Sequence, residues 1–290
     1  MTIELVVSTA LVAGLLLLVA TLGLQANPGD ETALFRQPTR LLRSLTSMLV
    51  VMPIVAAALA SAFDLDRAVK IALVALALSP VPPFLPSKNI RAGGESSYAI
   101  GLLVATSLVS IVYVPLALAL LKLAFDIPLR LSVSHVIVPV GWTVFMPLLA
   151  GLLVKRFAPD VAARVAGPTG RLAALLLLFG MIPLMVMSLP RAMPLIGNGT
   201  LLAMLVLCLV GLGVGHLLGE GAPGDRAMLA LSTAARHPGV AMAVAKANFP
   251  DQTLVFPAVL LYVALNAIVS LPYVKWTARQ SVRLSATTDP

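Results

Sequence analysis

The sequence predicts an all-α polytopic membrane protein of nine spans, and three observations predict it. Of 290 residues, 59% are hydrophobic and only 11% are charged, against about 25% charged in a soluble domain. The apolar residues gather in runs of about 20, the length that crosses roughly 30 Å of hydrocarbon as a helix. With one exception, the charged residues fall between those runs or at their ends.

The runs lie at about 4–25, 41–63, 68–86, 97–123, 133–154, 169–189, 198–219, 227–247 and 253–275. The first has no basic segment before it and no small-residue cleavage site after it, so it reads as a retained span rather than a signal peptide. The second is entered through Arg36, Arg40 and Arg43. The third carries Pro80, Pro82, Pro83 and Pro86, and each proline removes a backbone donor and clashes with the preceding turn. An α-helix cannot run through that cluster, so carbonyls are freed at or near membrane depth, where only protein or a wet cavity can receive them. The fourth, fifth and sixth spans are ordinary apolar runs, and the methionines at 48, 52 and 181–187 read as packing. The seventh holds Gly211-Leu-Gly-Val-Gly215, small residues that allow close helix approach rather than a nucleotide loop. The eighth breaks at His237-Pro238-Gly239. The ninth ends at Lys275, and the polar tail, about 277–290, is expected to be disordered and cytoplasmic. No soluble domain is large enough to fold separately.

The net charge of +8 is explained by topology. Arg36, Arg40, Arg43, Lys88, Arg91, Lys155, Arg156, Arg164, Arg171, Arg226, Lys275, Arg279 and Arg283 all fall on one side of the predicted spans, and the other side is poorer in net positive charge. The basic excess puts the amino terminus outside and the carboxyl terminus in the cytoplasm of a bacterial-type inner or plasma membrane. No basic segment interleaved with aromatics exists, so nucleic acid is not an expected partner. The single Cys208 excludes a disulfide framework or a cysteine-rich metal site. Phosphate loops, zinc-protease helices and nucleophile elbows are missing, so neither an enzyme nor a cofactor or metal is expected.

Two interrupted spans, one in each half of the chain, point to a binding site between inverted repeats of a secondary transporter. The exception to the charge pattern lies in the second of them. Arg236 is about ten residues from either end of its run, roughly 15 Å deep. A guanidinium at that depth stays charged and can snorkel only part of the way out, so a cavity, a partner or an anionic ligand should receive it. The bland reading is a structural arginine that caps carbonyls freed by the broken third span. All four Glu and eight Asp lie in loops, tails or span ends, and Glu95 and Glu220 read as solvated. A mid-membrane carboxylate is the usual means of offsetting a coupled cation, so its absence argues for an anionic substrate and against cation coupling. Candidate contacts are Arg236, His237, Lys88 and the neighbouring Asn89, with Ser232 and Thr233 on the approach to the break; Lys88 could equally snorkel to the basic face, and His237 could be a helix-break residue.

Several segments carry a family resemblance. Phe35-Arg-Gln-Pro38, Met52-Pro53, Leu78-Ser-Pro80 through Ser87-Lys-Asn89, Ala92-Gly-Gly-Glu95 and Ser232-Thr-Ala-Ala-Arg-His-Pro-Gly-Val-Ala241 resemble, in order and spacing, the bile acid:sodium symporter family. The resemblance covers nearly the whole chain and is closest to the family's nine-span form. It implies alternating access of organic anions, a core in which two broken helices cross (about 68–123 and 198–275) and a panel of helices (about 4–63 and 133–189). It also implies where sodium ligands would be, and most are replaced. Asn89 is kept, but the serine position is Lys88, the acid is Ser232, the glutamine is Arg236 and the second asparagine is His237. Further ligand positions fall on Ala99, Leu103 and Met48. The sequence therefore predicts a carrier of small organic anions in which Arg236 and Lys88 occupy the space of the lost ions. The competing expectations are a sodium-dependent symporter with rearranged backbone ligands, and a non-transporting sensor or scaffold on the same fold. The substrate's identity and the oligomeric state are not legible.

Overall fold

The computed structural model describes residues 3–27, 29–83, 85, 95–125 and 134–288. Seven of its helices are long and apolar enough to cross a membrane: α1 (Ile3–Gln25), α2 (Pro38–Ala62), α4 (Ser96–Phe125), α5 (Val136–Phe157), α6 (Pro159–Ala192), α7 (Thr200–Leu218) and α10 (Val255–Thr288). The other two predicted spans are interrupted. The third is helical as α3 (Arg67–Leu78), whose 12 residues are too few to cross alone. The eighth is split into α8 (Pro223–Ala234) and α9 (Pro238–Asn248).

Most bounds match the hydrophobic runs, and three differ. Helix α6 begins at Pro159, ten residues before its apolar run, because a proline at the first helical position costs no hydrogen bond. The tail expected to be disordered continues α10 as helix to Thr288. The second break lies at Ala235 to His237, and Pro238 and Gly239 are the first residues of α9 rather than part of the gap. Proline restricts the residue before it, and His237 is accordingly extended, with φ −75° and ψ 101°.

Helix α1 packs against α6 and the second half of α5, with Gly23 and Gly151 facing each other's backbone. A second group forms around the breaks, where α2 packs on α3 and α7, α7 on α8, and α3 on α9 and α10. The two groups meet where the start of α5 lies on α9 and where α6 lies on α10. Leu172, Leu175, Phe179, Ile182 and Val186 of α6 stay exposed, an outward apolar face suited to lipid.

The Gly-rich stretch of α7 does what its composition predicts. A Cβ on Gly211 would lie 2.7 Å from the Ala234 Cα, and one on Gly215 would lie 2.5 Å from the Ala230 Cα, so α8 rests directly on the α7 backbone. Gly213 points into open space. Gly211→Leu is expected to cost about 1–3 kcal/mol of stability by overpacking, with Gly213→Leu tolerated. Unfolding of both variants in detergent checks this, and equal stability of the two would refute the close packing.

Candidate functional site

The breaks in α3 and α8–α9 meet in the middle of the second helix group. Helix α3 stops at Leu78, followed by Ser79 in extended conformation. Helix α8 stops at Ala234, and Ala235 is likewise extended. The His237 N–H donates to the Pro80 carbonyl at 3.0 Å, joining one interruption to the other. A buried helix end needs partners for its last carbonyls, and two of them are met by side chains from elsewhere in the fold. The Ala234 carbonyl accepts from the Tyr262 hydroxyl of α10 at 2.6 Å, and the Ser79 carbonyl is reached by Arg236.

Arg236 is only 3% exposed. Its Nη2 donates to the Met48 carbonyl at 2.9 Å and its Nη1 to the Ser79 carbonyl at 3.4 Å. Both acceptors are carbonyls that their own helices leave free. Ser79 caps the end of α3. Met48 lies in a π-helical stretch of α2, Thr46 to Val51. In the i→i−5 register of a π turn the donor for Met48 is residue 53, and Pro53 has no N–H. The carbonyl ends of α3 and α8 each carry roughly half a negative charge, so two helix dipoles, rather than a carboxylate, lie around the guanidinium. Its Nε is buried and has no hydrogen-bond partner among the described residues. None of the described ion pairs involves Arg236.

His237 is also buried. Its Nδ1 accepts from the Val240 N–H at 3.4 Å and so caps α9. Its Nε2 lies 3.3 Å from the Thr143 hydroxyl, which donates its own proton to the Pro139 carbonyl at 2.6 Å. Thr143 can therefore only accept from the ring, and the two contacts together specify a neutral imidazole protonated at Nε2. His237 is thus both a helix-break residue and a bridge from the crossing to α5.

Ser232 and Thr233 are buried on the last turn of α8. Thr233 lies 3.0 Å from the Ser47 hydroxyl, whose proton goes to the Ser44 carbonyl, so Thr233 is the donor between them. Ala99, Leu103 and Met48 are buried side chains with no oxygen to offer a sodium ion. Lys88, Asn89 and Pro86 lie outside the described residues. The structure thus brings Arg236, His237, Thr233 and the backbone around Pro80 together. Among the described residues no cluster of His, Cys, Asp or Glu could hold a metal ion.

The sequence reading missed Ser47, Thr143 and Tyr262. A hydroxyl inside an apolar run is a weak signal, since Thr and Ser often bond their own helix, and only the crossing geometry says what these three meet. It also treated Glu95 and Glu220 as merely solvated. Arg40 of α2 lies 3.0 Å from Asp225 and 3.4 Å from Glu95, and Arg43 pairs with Glu220. Asp225 additionally accepts from the Glu95 N–H at 2.9 Å. The Arg40 guanidinium sits 3.7 Å above the Tyr98 ring, and the Tyr98 hydroxyl bonds Ser44 at 2.9 Å. These pairs tie α2, α4 and α8 together at the basic face.

A family model described as the Sodium Bile acid symporter family matches residues 12–218. The chain belongs to that family. As a sodium bile acid symporter family protein it is an integral, multi-pass membrane protein of the transporter class. The matched segment ends before α8, so Arg236 and the second break lie beyond it. No curated relative matches the chain.

Proposed function

We propose that this symporter-family protein carries small organic anions by alternating access without sodium, with Arg236 acting as a tethered cation where a transported one would bind. The observation that carries the reading is the pair of bonds from the Arg236 guanidinium to the Met48 and Ser79 carbonyls. Those oxygens would suit a sodium ion equally well, and the resemblance puts a sodium-ligating glutamine at Met48 and another at Arg236 itself. A sodium ion a few ångströms from the guanidinium would meet repulsion of order 1–4 kcal/mol at high effective dielectric, with no carboxylate beside it to offset the cost. Lys88 takes the place of the second ion in this reading, and Asn89, Ser232 and His237 line the route. A purely structural arginine would make the same two carbonyl bonds, but the Nε, which has no partner among the described residues, favours a further, anionic acceptor.

The reading takes nine crossings, with α3 and α8–α9 as equivalent broken elements of inverted repeats. One rigid body consists of α1, α5 and α6. The packing of α2 on α3 and α7 favours moving it with the crossing body, whereas the resemblance implies the panel for residues 4–63. The basic face, with Arg36, Arg40 and Arg43, is cytoplasmic.

The test is anion uptake into proteoliposomes with sodium replaced by choline. Uptake is expected to be unchanged within about twofold, because no ion-binding free energy is lost. Complete loss of uptake in choline would overturn the reading in favour of sodium symport, and ligand binding with no flux under either condition would favour a sensor.

A further inference from the structure

A cavity of about 230 Å³ runs along α3 at the end remote from the basic face. Its walls are Val74 and Leu78 of α3, Leu118 and Leu121 of α4, and Phe249 after α9. Its polar groups are few: Ser61, Asn248 and the single cation Lys70. From Lys70 to Leu78 the helix climbs about 12 Å, and Leu78 is the residue before Ser79, whose carbonyl holds Arg236. The cavity thus extends from a membrane face to the crossing. Lys70 forms no ion pair among the described residues. The acid one turn before it, Asp66, uses an oxygen to cap α3 through the Ala68 N–H at 2.7 Å.

We propose that this cavity is an outer recognition site for a monocarboxylate with a short hydrocarbon body, the carboxylate taken by Lys70 and the chain lying against Val74, Leu78, Leu121 and Phe249. Charge complementarity selects the head: one ammonium, with no ion-pair partner among the described residues and at the rim of an apolar cleft, suits one negative charge. Size selects the body. At about 30 Å³ per water-sized group, 230 Å³ gives room for at least on the order of eight non-hydrogen atoms, as in a chain of six to eight carbons. The apolar walls gain about 0.8 kcal/mol per buried methylene, so affinity rises with chain length until the cavity is full. The role of the site as the way in rests on the carrier reading, whereas its occupancy does not.

The test is equilibrium binding of radiolabelled octanoate to the full-length protein in phosphatidylcholine nanodiscs. Saturable binding is expected, stronger than for butanoate and not displaced by octanol. Lys70→Gln should weaken it by about tenfold or more, as loss of a charge-assisted bond does, Lys70→Arg should retain it, and Val74→Trp should abolish it by filling the cleft without lowering thermal stability. Equal binding by wild type, Lys70→Gln and Val74→Trp would overturn the proposal. So would displacement by octanol. A phosphatidylglycerol molecule retained through purification, released by Lys70→Gln in native mass spectrometry and never displaced by octanoate, would overturn it in favour of a lipid site. Octanoate binding without anion flux would leave this site standing and defeat the carrier reading, and flux indifferent to Lys70→Gln and Val74→Trp would leave the carrier reading standing and defeat this site's role as the way in.

Discussion

Arg236→Gln is expected to lower anion uptake by roughly ten- to a hundredfold. Hydrogen bonds to a charged group contribute about 1.5–3 kcal/mol, and each 1.4 kcal/mol is about a factor of ten. Glutamine can keep one bond to the Met48 or Ser79 carbonyl, but it brings no charge and no second donor arm. Arg236→Lys should fall between the two, because an ammonium keeps the charge without the planar fork that spans two carbonyls. The measurement is initial uptake into proteoliposomes, using the anion that most raises apparent stability in a thermal-shift screen run with and without sodium. Undiminished uptake by Arg236→Gln would reduce this arginine to a cap on two freed carbonyls. Uptake by the wild type that requires sodium would show that the guanidinium does not replace the ion.

Arg40→Ala should destabilise the fold by about 3–5 kcal/mol, the cost of leaving one member of a buried ion pair alone. Side-chain exposure is 12% for Arg40 and 10% for Asp225, so the pair is largely shielded from water. The substitution also empties the face of Tyr98 and frees Glu95. The double variant Arg40→Ala/Asp225→Asn should recover a large part of the loss, because the unpaired buried charge is gone. Unfolding of both variants in detergent measures the difference. A loss below about 1 kcal/mol for Arg40→Ala would mark the pair as an ordinary exposed salt bridge.

The breaks were legible because proline acts locally. Pro80 and its neighbours end α3 where their missing donors require, whatever surrounds them. Pro238 misled by a few residues, since the same chemistry that ends one helix favours the first turn of the next, and the gap lies before it. Arg236 was legible as a buried charge because so few polar groups share its span. Its partners were not legible. The Met48 carbonyl is 188 positions away in the chain and is free only because a π turn coincides with Pro53, and the π turn has no evident signature in residues 46–51. Asp225 and Glu220 looked like loop acids for the same reason: a charge near a span end is solvated or paired according to which helix end faces it.

By itself the sequence determined a chain that must fold in lipid, the approximate bounds of its helices, the two places where helix cannot continue and the deep cation at the second of them. These follow from local terms, namely hydrophobic length, proline's missing N–H and the cost of a charge in hydrocarbon. Only the tertiary structure decided that one interruption is stitched to the other through His237 and Pro80, that Arg236 rests on carbonyls from two other helices, and that the basic face is tied together by ion pairs, of which Arg40–Asp225 is shielded from water. Such contacts join residues far apart in sequence, and the chain's order along a helix does not encode which orphaned carbonyl a distant donor will meet.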